Sequence, residues 1–225
     1  MPFHRYHLTL LLHRIASLLP QWLDPHNLIL EYRSIEQIFW RELGHSAQPV
    51  FDGDLPPFLM LDADGFPINL SNPMDPAELM TRMAALVPSS LPASSLAGTN
   101  LSVLNRLLNL APFESQWLLW SYCVHRFGRA ILPVISLRDD WHVCELLALL
   151  ADVPMDEVQD AVASRRLHVW GLLDGIGADS ETPSFLSGWL SATDQFADWI
   201  EQPYASDSEL LTALCQAQVS LMASR

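Results

Sequence analysis

The sequence contains no lysine. All 12 basic residues are arginines spread along the chain, against 26 acidic residues, which gives a formal net charge of −14. A phosphate-binding P-loop requires its lysine, and Schiff-base chemistry requires a lysine amine, so both classes of activity are excluded. Because this charge repels phosphate backbones and the arginines are not clustered, nucleic-acid binding is also disfavoured.

Cysteine is scarce, and long hydrophobic runs are missing. Cys123, Cys144 and Cys215 lie far apart, each within an apolar helical pattern, which predicts reduced core thiols rather than disulfides or metal ligands. No stretch approaches the roughly 18 to 20 apolar residues that a membrane span requires, and the first residues lack the pattern of a secretion signal. We therefore predict a cytoplasmic protein, with no membrane association.

The residues that are present favour a folded, mainly helical protein. Half of the 225 residues are apolar and eight are tryptophan, enough to bury a core in one large or two small domains. In the N-terminal half, apolar spacing predicts helices over Tyr6–Trp22, Ser34–Leu43 and Asp75–Val87. The second is predicted to begin with a capping box formed by Ser34 and Gln37. Between the second and third, two apolar runs within 58–70 flank the turn Asp62–Gly65 and predict a small β-hairpin.

A segment rich in small and turn-forming residues divides the chain. Residues 89–99 carry no charge and contain several serines, as a linker does. We therefore predict three parts: an N-terminal helical unit with the hairpin over 1–88, the linker, and a second helical unit over 100–225.

The second unit is predicted to contain a helix-turn-helix. A short helix near Leu101–Leu108 and a buried helix from Phe113 to Phe127 precede it. Next come helices opening at Asp140 and at Met155, joined by a tight turn, and then the apolar segment Leu167–Leu173, interpreted as an extended wing strand. This order predicts a helical bundle with a winged-helix-like C-terminal unit.

The second helix of this motif is the candidate contact surface. It is predicted to expose three carboxylates and one amide, where a reader of DNA bases needs arginine, asparagine or glutamine. Protein recognition is therefore favoured over DNA reading, although Gln159, Arg165 and Arg166 remain possible nucleic-acid contacts. The candidate partner contacts are Asp156, Glu157, Gln159, Asp160, Arg165, Arg166 and Trp170. Trp170 and Trp189 are the aromatic residues whose exposure would mark an interface.

Catalytic, cofactor and metal sites are not predicted. His4 and His7 share a helix face without a third ligand at a metal-binding spacing, which favours solvent-facing side chains. No nucleophile elbow and no glycine-rich oxyanion loop occurs, and Gly171, Gly175 and Gly177 do not form a dinucleotide fingerprint. A hydrolase site assembled from distant residues remains the open alternative.

One stretch of the chain resembles a known family. The segment Leu107–Glu114, the long apolar helix after it, the helix-turn-helix and the segment Arg166–Leu173 are similar to the N-terminal region of a group of bacterial AAA+ ATPases. The resemblance covers residues 100–222 and implies a winged-helix-like portion, with helices around 185–200 and 208–222 as a connecting unit. No Walker motif occurs, so no catalytic residue carries over.

These observations lead to a functional hypothesis and an alternative. The resemblance implies a non-catalytic adaptor domain that recognises a protein partner or substrate and associates with an ATPase oligomer. The alternative is an independent acidic inhibitor that mimics nucleic acid and occupies a basic cleft of its target.

Overall fold

The computed structural model describes residues 3–42, 75–86, 95–127, 132–174, 183 and 185–223. Within these ranges the chain forms helices and isolated β-bridges but no β-strand, which confirms the predicted mainly α class. The helices are α1 (Phe3–Trp22), α2 (Pro25–Glu42), α3 (Pro76–Leu86), α4 (Leu96–Leu107), α5 (Pro112–Phe127), α6 (Asp140–Ala151), α7 (Met155–Ser164), α8 (Arg166–Val169), α9 (Leu186–Trp189), α10 (Asp194–Ile200) and α11 (Asp207–Ala223).

Helix α1 buries the apolar stripe that its sequence spacing predicts. Leu8, Leu11, Ile15 and Leu19 are inaccessible to solvent or nearly so, and the helix packs against α2, α3, α5 and α6. The hydroxyl of Tyr32 in α2 donates a hydrogen bond of 2.9 Å to the carbonyl of Ala16. The N-terminal helix is therefore joined to the C-terminal half through a shared apolar core.

Helix α5 is the buried central helix that the sequence predicts. Trp117, Trp120 and Tyr122 are almost fully buried. The Nε1–H group of Trp117 donates a 2.8 Å hydrogen bond to the carbonyl of Trp189, which satisfies a polar atom that would otherwise be costly to bury. Trp189 is itself buried, so it belongs to the core and not to an exposed patch.

Helix α2 begins well before the predicted start. Pro25 occupies its first position, and the Asp24 carboxylate accepts a 3.1 Å hydrogen bond from the backbone N–H of Asn27. Aspartate followed by proline is a favourable helix start. The predicted capping box of Ser34 and Gln37 is wrong, because both residues lie inside α2.

Helices α3 and α4 bear on the predicted division of the chain. Helix α3 opens at Pro76 as predicted, and its Leu79 and Met83 are buried. Helix α4 begins at Leu96 because the Ser95 side chain accepts a hydrogen bond from the N–H of Gly98, so the end of the 89–99 segment is helical. The division into units stays a prediction, and the predicted hairpin at 58–70 lies outside the described residues.

The predicted wing strand over 167–173 is wrong. Residues 166–169 form α8, and Gly171 then takes a left-handed φ of 64°. Leu173 makes only an isolated bridge, to Ala192. Short apolar runs fit either a buried strand or a buried helix, and here burial of Leu167 and Leu172 is achieved in helix and turn. The two helices predicted before the wing are confirmed as α6 and α7, but α8 and a turn stand in place of the wing strand.

The last three helices correspond to the two helical regions predicted near the C-terminus. The end of α10 is joined to α4 by Asn100, whose buried side-chain amide donates hydrogen bonds of 2.8 Å to the carbonyls of Ile200 and Gln202. Cys215 in α11 is free, as expected, but exposed, so the prediction that it is a core thiol is wrong. Among the helices described, none has both the length and the apolar character needed to cross a membrane.

Candidate partner-binding surface around helix α6

Helix α6 presents large apolar side chains on both of its sides. Val143, Leu146 and Leu147 face the core, as predicted. On the solvent side lie Trp141, 60% exposed, and Leu149, 46% exposed; Glu145 stands between them in sequence. Because residues four apart lie on neighbouring turns of one helix face, these three form a continuous surface, here called the α6 ridge (Trp141, Glu145 and Leu149).

Both ends of α6 are capped. At the N-terminus, the Asp139 carboxylate accepts hydrogen bonds from the backbone N–H and the ring Nδ1 of His142, at 2.9 and 2.8 Å. These bonds hold the pKa of Asp139 below its usual value. At the C-terminus, Asp152 takes the left-handed conformation, and Arg14 of α1 donates a 2.7 Å hydrogen bond to the carbonyl of Leu150. The ridge is therefore carried by a helix fixed at its base and at both ends.

A groove of about 640 Å³ runs along one flank of the ridge. It is bounded by the end of α1, the start of α2, the segment before α6, and α6 itself. We call it the long groove, and its lining residues are Gln21, Trp22, Leu23, Asp24, Asn27, Glu31, Val134, Ser136, Arg138, His142, Glu145 and Leu149. Val134 is 61% exposed, so the groove continues the apolar surface of Leu149.

The long groove is acidic. Asp24, Glu31 and Glu145 contribute three carboxylates, and Arg138 contributes one guanidinium. Burial raises the pKa of Glu31, although the N–H of Val134, which donates to it at 3.0 Å, lowers the pKa in part. The groove therefore holds a partly desolvated carboxylate whose negative charge is supported by one backbone donor.

A smaller groove of about 340 Å³ lies on the other flank. Trp141 and Cys144 of α6, Gln159 of α7 and Arg165 are among its lining residues. Burial and the nearby Asp140 carboxylate raise the pKa of the Cys144 thiol, which keeps it neutral and weakly nucleophilic. Two of the predicted contact residues, Gln159 and Arg165, are thus brought beside an exposed tryptophan.

Helix α7 holds the acidic residues predicted as contacts. Asp156, Gln159 and Asp160 are exposed, as predicted. Glu157 is half-buried instead, because its Oε1 accepts a 2.8 Å hydrogen bond from the backbone N–H of Phe113. Glu157 therefore caps the N-terminus of α5.

Arg166 and Trp170 also have internal roles. The guanidinium of Arg166 forms a 3.0 Å ion pair with the buried Glu114 and donates a 2.7 Å hydrogen bond to the carbonyl of Leu108. Glu114 in turn accepts from the N–H of Ala111 at 2.9 Å. Trp170 is half-buried and packs against the core. Binding of a partner by these residues stays a prediction, but both already stabilise the fold.

His4 and His7 are not the solvent-facing residues that were predicted. His7 packs against Phe3 and Tyr6, and burial lowers its pKa to about 4. His4 contacts Phe127, and burial lowers its pKa as well. In the part of the chain that the structure describes, no three His, Cys, Asp or Glu side chains are grouped to hold a metal ion.

Among the residues that the structure describes, the groups best suited to hydrolytic chemistry are not assembled. His142 pairs with Asp139 and lines the long groove with Ser136, yet no hydrogen bond joins the described side chains of Ser136 and His142. Cys123 is fully buried, which raises the pKa of its thiol strongly. Among the described residues, neither the Ser136–His142 pair nor Cys123 supplies an activated nucleophile.

Sequence reasoning did not single out Trp141, Leu149 or Glu31. A signal for the first two was present, since both fall outside the apolar stripe of α6 at positions where a polar residue is usual. Glu31 carried no such signal, because its contact with Val134 joins residues far apart in the chain.

Comparison with protein-family models, with curated proteins and with solved structures finds no match to this chain.

Proposed function

We propose that this chain is a protein-binding module whose partner docks on the α6 ridge. The observation that carries this proposal is the exposure of Trp141 and Leu149 on one face of a well-anchored helix. Tryptophan is enriched among the residues that contribute most to protein interfaces, and an apolar patch rimmed by charged residues is typical of a binding surface.

The surroundings of the ridge support the same function. Grooves on both flanks give a partner concave surfaces beside a projecting indole. Because α6 is capped at both ends, little conformational freedom would be lost when the ridge is covered, and this lowers the cost of binding. The more specific role, an adaptor beside an AAA+ ATPase, rests on the sequence resemblance alone.

Capture from a lysate of the source organism with the full chain as bait tests the proposal. The variant Trp141→Ser/Leu149→Ser removes the apolar ridge, and we expect it to lose at least ten-fold of the specifically captured protein. Both side chains are exposed, so circular dichroism and urea denaturation should match the unsubstituted chain.

The matched control is Ile29→Ser/Val169→Ser, which removes two other exposed apolar side chains, 57% and 72% exposed, from α2 and α8. This variant should capture the same protein in the same amount. Equal capture by the ridge variant and the control variant would refute a role for the ridge.

A further inference from the structure

We infer that the long groove beside the α6 ridge accepts a basic segment of the protein partner, in which an arginine or lysine lies next to an apolar residue. The inference rests on the proposed function and specifies the chemistry of the partner. It depends on three features of the groove: its charge, the state of Glu31, and the apolar wall continuous with the ridge.

The charge of the groove selects a cation. Its lining holds three carboxylates and one guanidinium, and the chain as a whole carries −14. Complementary potentials speed encounter and exclude partners of the wrong charge. An acidic segment would be repelled both at the groove and over the rest of the molecule.

Glu31 gives the cation a place to bind. Its carboxylate is half-buried at the groove wall, and burial raises its pKa. No ion pair joins Glu31 to another described residue, so a guanidinium or ammonium group from outside would supply the charge that desolvation leaves unbalanced. Glu145 of the ridge lines the same groove and can share that cation.

The apolar wall explains why a cation alone is not the ligand. Trp22, Val134 and Leu149 line the groove together with the carboxylates, and Val134 and Leu149 are exposed. A segment with an apolar residue beside its basic residue would cover this wall while its charge reaches Glu31. The stem of an arginine or lysine adds apolar contact of its own.

Panning a library of displayed random 12-residue peptides against the full chain tests the inference and does not require the natural partner to be identified. We expect the selected peptides to share a basic residue adjacent to an apolar one. A selected peptide, labelled for fluorescence anisotropy, should bind at least five-fold more weakly in 500 mM than in 50 mM NaCl, because exposed ion pairs are screened by salt.

Substitutions of the groove carboxylates test whether the selected peptide binds in the long groove. Glu31→Gln/Glu145→Gln should weaken binding of the selected peptide at least ten-fold, because both negative charges are removed. The new amide at position 31 keeps a carbonyl oxygen that can still accept the hydrogen bond from Val134. Glu145→Gln alone, at an exposed position, serves if the double variant unfolds. The control Asp194→Asn/Asp198→Asn removes the same charge from two exposed positions of α10, outside the groove, and should leave the affinity within two-fold.

The outcomes separate this inference from the proposed function. Peptides without basic residues, no selected peptide, or equal weakening by the α10 control would overturn the basic-segment inference. The selected peptides could instead bind through Trp141, with an affinity that does not change when Glu31 and Glu145 are substituted. In that case the ridge remains the docking surface and only the inference about the groove fails.

Discussion

Arg165 and Arg166 are neighbours in sequence but differ in their surroundings. The partly buried Arg166 pairs with the buried Glu114 and caps the end of α4 through the carbonyl of Leu108. Arg165 is exposed, takes a left-handed φ of 52°, and forms no ion pair with another described residue. The same side-chain type therefore stabilises the fold at one position and is available at the surface at the next.

Replacing Arg166 with alanine should lower the free energy of unfolding by about 2 to 3 kcal/mol, because the Glu114 carboxylate would stay buried without its cation. Urea denaturation followed by circular dichroism measures this loss. The control is Arg106→Ala, which breaks an exposed pair with Asp207 and should cost less than about 0.5 kcal/mol. A loss at Arg166 no larger than that at Arg106 would contradict the assigned role of the pair.

Replacing Arg165 with glycine should instead raise the free energy of unfolding by about 0.5 to 1 kcal/mol, because glycine adopts the left-handed conformation without the steric cost of a Cβ atom. The preceding Ser164 is the last residue of α7, and Ser164→Gly should destabilise the protein. Thermal or urea denaturation of the two variants compares them directly. Stabilisation by both glycines, or by neither, would show that backbone strain at Arg165 is not the cause.

At the scale of single elements, the helices whose apolar stripes face the core were predictable from sequence. The stripe of α1, the all-round apolar character of α5 and the start of α3 at Pro76 each carry a local signal that the fold preserves. The helix and turn over 167–173 were not predictable, because they depend on contacts far along the chain: the N–H of Thr193 donates to the carbonyl of Leu172, and Leu173 forms a bridge with Ala192. The long groove could not be predicted from the sequence for the same reason, because its walls come from segments far apart in the chain.

Thr193 joins two of these elements. Its Oγ1 accepts a 3.2 Å hydrogen bond from the N–H of Phe196 and so caps α10, and it donates one of 2.8 Å to the carbonyl of Gly171 after α8. Thr193→Ala should lower the free energy of unfolding by about 1 to 2 kcal/mol, since both hydrogen bonds are lost. Thr193→Ser keeps the hydroxyl and should recover most of that loss in urea denaturation. Equal destabilisation by serine and alanine would instead assign the effect to the methyl group.

Over the whole molecule, buried histidines make stability depend on pH. Burial lowers the pKa of His168 to about 4, and neither ring nitrogen of His168 has a hydrogen-bond partner among the described residues. His7 behaves similarly, with a pKa of about 4. The unfolded chain takes up these protons near pH 6.5, whereas the folded chain does so only near pH 4. The part of the stability that depends on these two histidines is therefore fully present above about pH 6.5, and it is lost as the pH falls towards 4.

The variant His168→Phe tests this dependence. At pH 5 the buried His168 costs up to about 2 kcal/mol, which phenylalanine would remove, so the free energy of unfolding should fall less between pH 7.5 and pH 5 in the variant. Urea denaturation at the two pH values measures the difference. If the free energy of unfolding falls by the same amount in the variant as in the unsubstituted chain, other groups control the acid sensitivity.

The exposed indole of Trp141 also gives the protein an optical property. Trp117, Trp120, Trp189 and Trp199 are buried and emit from an apolar environment, whereas Trp141 is the most exposed tryptophan among the described side chains. Among the described tryptophans, a collisional quencher dissolved in the buffer therefore reaches Trp141 first, and covering the α6 ridge would shield it and shift its emission to shorter wavelength. The chain thus carries a built-in fluorescent reporter at the position where we place its partner.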